Sequence, residues 1–292
     1  MSLKLSATVI LYNPEDEIFD NISSYANDVD MLIVVDNSTT YNVPLIDKLK
    51  SEFSNMTYIN NNANLGIATA LNIGCDEAIQ NSCDWILTMD QDSMFINFSH
   101  YKKCLENLES SDDVALLCAN TNWSEPLGIP KNPTCENEEK FSAITSANFL
   151  NLKLFEQVGR FEDKLFIDLV DYDYCIKIQV QKLKILYFKD ALVAHSLGTV
   201  FRRKNLITGK IRTKVEHNPQ RVYYFARNYL YVASKYGKQF PKEMGMLKTL
   251  NILYIHELTK IILYEADKSK KINAKLIGLY HFLIGKYGKQ DI

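Results

Sequence analysis

The stretch "WILTMDQDSMF" (Trp85–Phe95) joins an apolar run to a pair of carboxylates, Asp90 and Asp92. Its first half has the composition of a buried strand. Because successive side chains of a strand point to opposite faces, both carboxylates can face the same way with Gln91 turned aside. Two oxygen donors suit a hard cation such as Mg²⁺ or Mn²⁺, which commonly bridges protein carboxylates to substrate phosphates. The alternative is that Asp90 caps a turn and Asp92 caps the next helix.

Strands and helices alternate in the sequence before this stretch. This alternation predicts a parallel, doubly wound sheet with helices on both faces, whose ligands bind beyond the carboxyl ends of the strands. Asp36, Asp90 and Asp92 then gather at the edge where a ligand is expected. The predicted strands are Ala7–Tyr12, Met31–Asn37, Met56–Asn60 and Asp84–Asp90, and the predicted helices span 13–26 (Asn13 as N-cap, Pro14 at the first position), 43–53 and 65–80.

The second half of the chain is less regular and ends in helices. Further strands are predicted at 114–120, 141–152, 184–188 and 191–195, with a loop at 121–140 and a loop leading into a helix at 166–183. From residue 217 a long helix is predicted, with Asn218 as cap, Pro219 in the first turn and Gly237 as the stop. We therefore predict a catalytic domain at 1–215 and a helical region at 216–292.

Composition limits the class of protein. The chain has 292 residues, 47% of them hydrophobic and 23% charged, as expected for a soluble globular protein. A formal net charge of -2 argues against a nucleic-acid binder. The six cysteines form no CxxC pair, which predicts six reduced thiols in a cytoplasmic protein. No apolar run reaches the ~18 residues that span a bilayer.

Three further groups of residues support a nucleotide site. Asp36 in "IVVDNS" can accept a hydrogen bond from a pyrimidine ring N–H, although an Asp-Asn pair also forms turns. In "NNNANLGIATALNIG" (60–74), small residues enter a helix and permit close backbone approach. In "FIDLVDYDYC" (166–175), several carboxylates lie beside aromatic residues.

The motifs "VVDN", "NxGxAxAxNxG", "WILTMDQDS", "FIDLVDYDYC" and "HSLG", in this order, resemble the family 2 glycosyltransferases. The DQDS form and the later "RVYYFARN" are similar to the rhamnosyltransferase branch of that family. The resemblance covers about residues 5 to 235. It implies an α/β fold of the GT-A type, with a doubly wound, mostly parallel mixed sheet and a C-terminal helical extension.

The resemblance also implies a role for each matching residue. For the nucleotide, Asp36 would read the base, Asp90 would lie near the ribose, and Asn64, Gly66 and Asn72 would line the pocket. Asp92 would bind the metal, and His195 would contact the metal or the diphosphate. Asp171 would be the general base, and Arg227 with Asn228 would face the diphosphate or acceptor. Asp168 is the rival base: on a continuing helix it would share a face with Asp171, or it would cap that helix. Ala147 and Lys177 replace the usual Gly and Arg of the family.

The activity implied is inverting, metal-dependent transfer of a sugar, rhamnose in the branch resembled. The donor would be a dTDP- or UDP-sugar, the cofactor Mg²⁺ or Mn²⁺, and the acceptor a glycan or lipid-linked hydroxyl in cell-surface polysaccharide synthesis. The alternative is an inactive nucleotide- or carbohydrate-binding domain of the same fold. The leucine- and lysine-rich C-terminal helices favour contact with the inner face of the membrane, or packing on the catalytic domain or on a second subunit.

Overall fold

The computed structural model describes residues 3–108, 110–122, 128–195, 200–204 and 211–292, and at 200–204 and 211–215 it describes the backbone alone. Within these ranges the strands are β1 (Leu5–Leu11), β2 (Met31–Asp36), β3 (Met56–Asn60), β4 (Trp85–Asp90), β5 (Ser93–Phe95), β6 (Val114–Asn120), β7 (Asn137–Glu139), β8 (Asn148–Asn151), β9 (Lys184–His195), β10 (Val200–Lys204) and β11 (Ile211–Val215). The α-helices are α1 (Ile18–Ser23), α2 (Val43–Glu52), α3 (Ile67–Gln80), α4 (Phe98–Glu106), α5 (Leu152–Val158), α6 (Val170–Val180), α7 (Pro219–Tyr236), α8 (Pro241–Met244), α9 (Met246–Asn251), α10 (Glu257–Tyr264) and α11 (Lys268–Leu283).

The chain forms two compact units. The first comprises Met1–Glu162 with Val170–Ser196, and the second comprises Asp163–Leu169 with Leu197–Ile292. The segment 163–169, which directly precedes α6, thus belongs with the C-terminal helices. The predicted functional boundary between residues 215 and 216 stays a prediction.

The main sheet of the first unit is mixed, as expected for the GT-A type. Its strand order is β3-β2-β1-β4-β8-β6-β9-β5, with β7 beside β9. Four of its described pairings are parallel and four are antiparallel, a larger antiparallel share than the alternation predicts. The reason is β8, which lies antiparallel between β4 and β6, and the short strands β5 and β7, which pair antiparallel with β9.

Strands β1 and β2 are buried because helices cover both faces of the sheet. Every residue of β1 and β2 is buried, in keeping with their continuous apolar sequences. Helix α3 lies so close to β1 that a Cβ added to Gly74 would stand 2.4 Å from Oγ1 of Thr8. The small residues of the "NxGxAxAxNxG" motif therefore serve close packing of helix on sheet.

Three local predictions are wrong or incomplete. Asn13 is not an N-cap, since α1 begins only at Ile18. Asn13 instead has a φ of 45°, and its Oδ1 accepts hydrogen bonds from two backbone N–H groups of the loop after β2. The strand predicted at 141–152 is confined to β8, and the two strands predicted at 184–188 and 191–195 form the single strand β9.

Helix α7 follows its sequence signals. Oδ1 of Asn218 accepts the N–H of Arg221 at 2.8 Å, Pro219 is the first helical residue, and Gly237 follows the last. In the same unit α11 packs on α7, where a Cβ added to Gly278 would lie 3.0 Å from the Tyr223 carbonyl oxygen. No helix among the described residues combines the length and the apolarity needed to cross a membrane.

The prediction of six reduced thiols is wrong at one pair. Cys104 on α4 and Cys135 form a disulfide with Cα atoms 5.2 Å apart, while the other four cysteines are free and buried. The two meet because Asp190 links their segments. Its carboxylate accepts from the N–H of Thr134 at 2.8 Å, and its carbonyl accepts from Nδ2 of Asn97, just before α4, at 2.8 Å. Cysteine spacing carries no information about such contacts.

Candidate active site

The structure brings together Asp92 and His195, the residues predicted at the metal, and Asp90, which is predicted near the ribose. Asp90 ends β4, Asp92 lies in the turn that follows, and His195 ends β9. Strand β5 then pairs antiparallel with β9, with Ser93 opposite His195. One ligand atom from each of Asp90, Asp92 and His195 lies within 4.8 Å of the others. The other residues of the "HSLG" motif, 196–198, lie outside the described residues.

This donor set fits a divalent cation. Carboxylate oxygens suit Mg²⁺ and Mn²⁺, and Mn²⁺ in addition tolerates an imidazole ligand. The side chain of Asp92 is 51% exposed and that of His195 is 22% exposed. A cation held here would therefore keep coordination positions open for phosphate oxygens and water.

The turn between the two carboxylates is anchored by Gln91. Its Oε1 accepts the N–H of Tyr12 at 2.8 Å, and its Nε2 donates to the Tyr12 carbonyl at 3.3 Å. Its own carbonyl accepts from Nδ2 of Asn21 at 2.8 Å. The side chain thus turns away from Asp90 and Asp92 and ties their turn to the end of β1.

Asp36 lies at the end of β2, at the edge predicted to bind the base. It is fully buried, and its two oxygens accept the hydroxyl of Tyr58 at 2.7 Å and the N–H of Ser38 at 2.8 Å. Burial, together with the hydrogen bond to Asp36, raises the pKa of the Tyr58 phenol. The phenol therefore stays a donor, and Asp36 is held in a fixed orientation.

The residues predicted to line the nucleotide pocket fall into two groups. Oδ1 of Asn64 accepts the N–H of Gly66 at 3.0 Å, and Gly66 has a φ of 89°, a conformation that favours glycine, immediately before α3. Asn72 instead bonds the N–H and the carbonyl of Phe161, both at 3.0 Å, and is 5% exposed. The structure thus gives Asn72 a part in joining α3 to the segment after α5.

Asp171 is the second residue of α6. Its Oδ1 accepts the N–H of Tyr172 at 2.8 Å. With Thr88, Asn148 and Cys175 it lines a small cavity that has room for about one water molecule. Burial raises the pKa of the Cys175 thiol, which favours its protonated form.

Asp168 has a different setting from the one predicted. Helix α6 begins at Val170, so Asp168 neither shares a helical face with Asp171 nor continues that helix. It has a φ of 65°, between Phe166 at 64° and Leu169 at 64°. Its carboxylate accepts two hydrogen bonds from Nε of Arg221, at 3.0 and 3.1 Å, and a third from the guanidinium NH₂ group. Asp168 is therefore the partner of an arginine.

Arg227 and Asn228 are buried within the second unit. Arg227 donates to the carbonyls of Lys164 at 3.1 Å, Leu165 at 3.2 Å and Gly288 at 2.8 Å, and it is 0% exposed. Nδ2 of Asn228 lies within 3.0 Å of the carbonyls of Leu165, Ile167 and Asp168. These bonds fix the backbone of residues 163–169, which contain three residues with left-handed φ values, Phe166, Asp168 and Leu169. The prediction that Arg227 and Asn228 face the diphosphate or acceptor stays a prediction.

The two departures from the family pattern also have structural settings. Ala147 has a φ of 63°, where a glycine would be unstrained, which accounts for the usual Gly. Lys177 is 2.9 Å from Asp173 and donates to the carbonyl of Arg160 at 2.6 Å. Both departures lie within the packed interior around α6 and β8.

The sequence model of glycosyl transferase family 2 matches residues 6–160 of the chain, which hold the strand ends and both carboxylates of the turn. The chain belongs to glycosyl transferase family 2. Its class of activity is therefore glycosyl transfer. Among curated proteins, the dTDP-rhamnosyl transferase RfbF of Shigella flexneri is 27% identical over 242 residues, which cover 78% of this chain and 79% of the relative.

Solved structures confirm the GT-A fold of this family 2 glycosyltransferase. The mannosyltransferase PcManGT from Pyrobaculum calidifontis, in complex with GDP-Man and Mn²⁺, superposes with a TM-score of 0.60 at 12% identity, covering 96% of this chain and 76% of that one. S. aureus TarS 1-349 in complex with UDP-GlcNAc gives a TM-score of 0.59 at 14% identity, covering 93% and 79%.

Proposed function

We propose that the protein is an inverting, metal-dependent glycosyltransferase that moves a sugar from a dTDP- or UDP-sugar to a hydroxyl of a glycan or lipid-linked acceptor. The observation that carries this proposal is the grouping of Asp90, Asp92 and His195 at the carboxyl edge of the sheet. The similarity to a dTDP-rhamnosyl transferase favours rhamnose as the sugar and cell-surface polysaccharide synthesis as the context. The Mn²⁺ in the PcManGT complex favours a divalent cation here.

In the proposed mechanism, Asp36 orients the base and Asp171 acts on the acceptor. The acceptor hydroxyl attacks the anomeric carbon from the face opposite the nucleotide, and Asp171 takes its proton as the new bond forms. The C–O bond to the diphosphate breaks, and the electron pair leaves with the nucleotide. Asp90, Asp92 and His195 would hold a divalent cation, which would neutralise the negative charge that builds up on the leaving diphosphate.

A thermal-shift panel tests donor and cation together. UDP, dTDP and GDP would each be added with and without Mn²⁺, and we expect stabilisation by UDP or dTDP that depends on the cation. The matched variants are Asp92→Asn, which keeps the shape but weakens the cation site, and Asp112→Asn, an exposed carboxylate outside the site. Stabilisation of equal size in wild type and Asp92→Asn would contradict the proposed cation site.

The alternative is an inactive binding domain of the same fold, and a measurement of nucleotide-sugar turnover distinguishes it from a transferase. A transferase should slowly hydrolyse its nucleotide sugar without acceptor, in a reaction that chelation by EDTA stops. A domain that binds nucleotide but yields no sugar, with any acceptor or with water, would support the alternative.

We further propose that the C-terminal helices contact an anionic membrane surface at the inner face of the cell membrane. Residues 216–292 carry 13 basic and 6 acidic side chains, a formal charge of +7, against -9 for residues 1–215. On α11, Leu276, Tyr280 and Leu283 are 56%, 58% and 70% exposed and follow one helical stripe. Exposed apolar residues within a basic region suit the interface of an anionic bilayer.

Vesicle co-sedimentation tests this contact. Wild type should sediment with vesicles that contain an anionic lipid, less so in high salt. Leu276→Asp with Leu283→Asp should abolish sedimentation, whereas Ile129→Asp, at a residue 57% exposed in the first unit, should not. Absence of sedimentation by wild type would reject the membrane contact and leave packing on the catalytic domain or on a second subunit.

A further inference from the structure

Two buried serines connect the proposed metal ligands to one another. Oγ of Ser93 lies 2.7 Å from Nδ1 of His195, and the hydroxyl of Ser146 donates to Oγ of Ser93 at 2.8 Å. The N–H of Asp90 in turn donates to Oγ of Ser146 at 3.2 Å. Ser93 is 0% and Ser146 1% exposed, so the chain of hydrogen bonds runs through the interior.

This chain starts at one proposed ligand and ends at another. Ser93 follows Asp92 directly, and Ser146 stands just before β8, next to the left-handed Ala147. A hydroxyl can donate to a ring nitrogen or accept from it, so Ser93 can hold the imidazole in either tautomer. Since both serines are buried, water does not readily replace these bonds. Loss of the Ser93 hydroxyl removes its bond to the ring, and loss of the Ser146 hydroxyl removes the bond that orients Ser93.

We propose that Ser93 and Ser146 are positioning residues that hold His195 beside Asp90 and Asp92 for the divalent cation. The proposal rests on the proposed function, because it presupposes a cation at these residues. Groups that orient the ligands of a metal typically change its affinity about 10–100-fold when removed. Ser93, in direct contact with the ring, should matter more than Ser146, which acts through Ser93.

The test measures Mn²⁺ affinity, from the EPR signal of free Mn²⁺ at fixed nucleotide. Ser93→Ala should weaken Mn²⁺ binding about 10–100-fold and Ser146→Ala less than that. The matched control is Ser6→Ala. Ser6 is also 0% exposed, but its hydroxyl bonds the Trp85 carbonyl at the opposite end of β4, so its loss should leave Mn²⁺ affinity unchanged. Nucleotide affinity without metal should be the same in all three variants.

A double-mutant cycle with His195→Ala decides whether the serines act through the imidazole. In that background Ser93→Ala should have no further effect on Mn²⁺ affinity. If Ser93→Ala does not fold, the same cycle is run with Ser146→Ala. Unchanged or tighter Mn²⁺ binding by the serine variants, or an equal loss in the absence of His195, would overturn the inference.

The outcomes also separate this inference from the proposed function. If wild type binds no Mn²⁺, or if Asp92→Asn binds it as well as wild type, the cation site itself is wrong and this inference falls with it. If Asp92→Asn loses Mn²⁺ while the serine variants match Ser6→Ala, the cation site stands and only the positioning role is refuted.

Discussion

Asp168 and Asp171 lie three residues apart, and replacing each by asparagine should affect a different property of the protein. Asp171→Asn removes the proposed proton acceptor and leaves a side chain of the same shape. Asp168→Asn weakens a carboxylate–guanidinium pair with Arg221 in a segment of left-handed residues. The first change should therefore lower turnover, and the second should lower the stability of the fold.

The magnitudes follow from the setting of each carboxylate. Loss of a general base typically costs about 10²–10⁴-fold in turnover, or about 3–5 kcal/mol in the activation barrier. The side chains of Asp168 and Arg221 are 11% and 44% exposed, between a surface pair and a buried one. Weakening this pair should cost about 2 kcal/mol of unfolding free energy, between the values for exposed and buried pairs.

Two measurements on purified variants separate the two effects. Steady-state transfer or donor hydrolysis gives turnover, and urea denaturation gives the free energy of unfolding. We expect Asp171→Asn to unfold within about 0.5 kcal/mol of wild type. Asp168→Asn should keep turnover within about tenfold at a temperature where it is folded. If Asp171→Asn stayed active while a stably folded Asp168→Asn lost turnover, Asp168 would be the base.

Three further predictions concern stability and thiols. Gly74→Ala should lower the free energy of unfolding by about 2–3 kcal/mol in urea denaturation. Adding Thr8→Ala should recover part of this loss, because it removes the Thr8 Oγ1 atom that lies 2.4 Å from the new Cβ. If the losses of the two single variants simply added in the double variant, the contact would be contradicted. Burial lowers the pKa of Lys275 from 10.5 to about 8, so the folded state binds fewer protons between these values and stability should rise with pH across that window. At pH 7 the variant Lys275→Met should be more stable than wild type by about 3 kcal/mol. This advantage should vanish above pH 10.5, and an advantage independent of pH would argue against a buried charge. Denatured without reductant, the protein should show four reactive thiols, because Cys104 and Cys135 are bonded; six would refute the disulfide.

The edge of the sheet could be predicted because its signals are local. Asp36, Asp90 and Asp92 each follow an apolar run directly, and the carboxyl ends of parallel strands meet at one edge. His195 could be placed there only through the family resemblance. The register of the short strand β5 with β9 brings His195 to Asp92. A strand of three residues is too short to show the alternation of apolar and polar residues by which strands are predicted from sequence.

The remaining features depend on contacts distant in sequence. The burial of Arg227 is decided by carbonyls 62 and 63 positions earlier and by a C-terminal glycine carbonyl. The amphipathic pattern of α7 does not indicate that Arg227 points inward. The pairing of Cys104 with Cys135 likewise needs the position of Asp190. Ser93 and Ser146 carried a weak signal, as small polar residues beside the "DQD" turn and within "TSAN".

The assignment of residues 163–169 to the second unit affects how the chain is made. The hydrogen-bond partners of this segment are Arg221, Arg227 and Asn228, which lie 25 or more positions after His195, the last residue of the sheet. During synthesis on a ribosome, the sheet and α6 therefore emerge before these partners do. Until α7 has appeared, the carbonyls of this segment lack the Arg227 and Asn228 donors that bond them in the folded chain. A fragment cut short after β9 would therefore hold that stretch without the hydrogen-bond donors of α7.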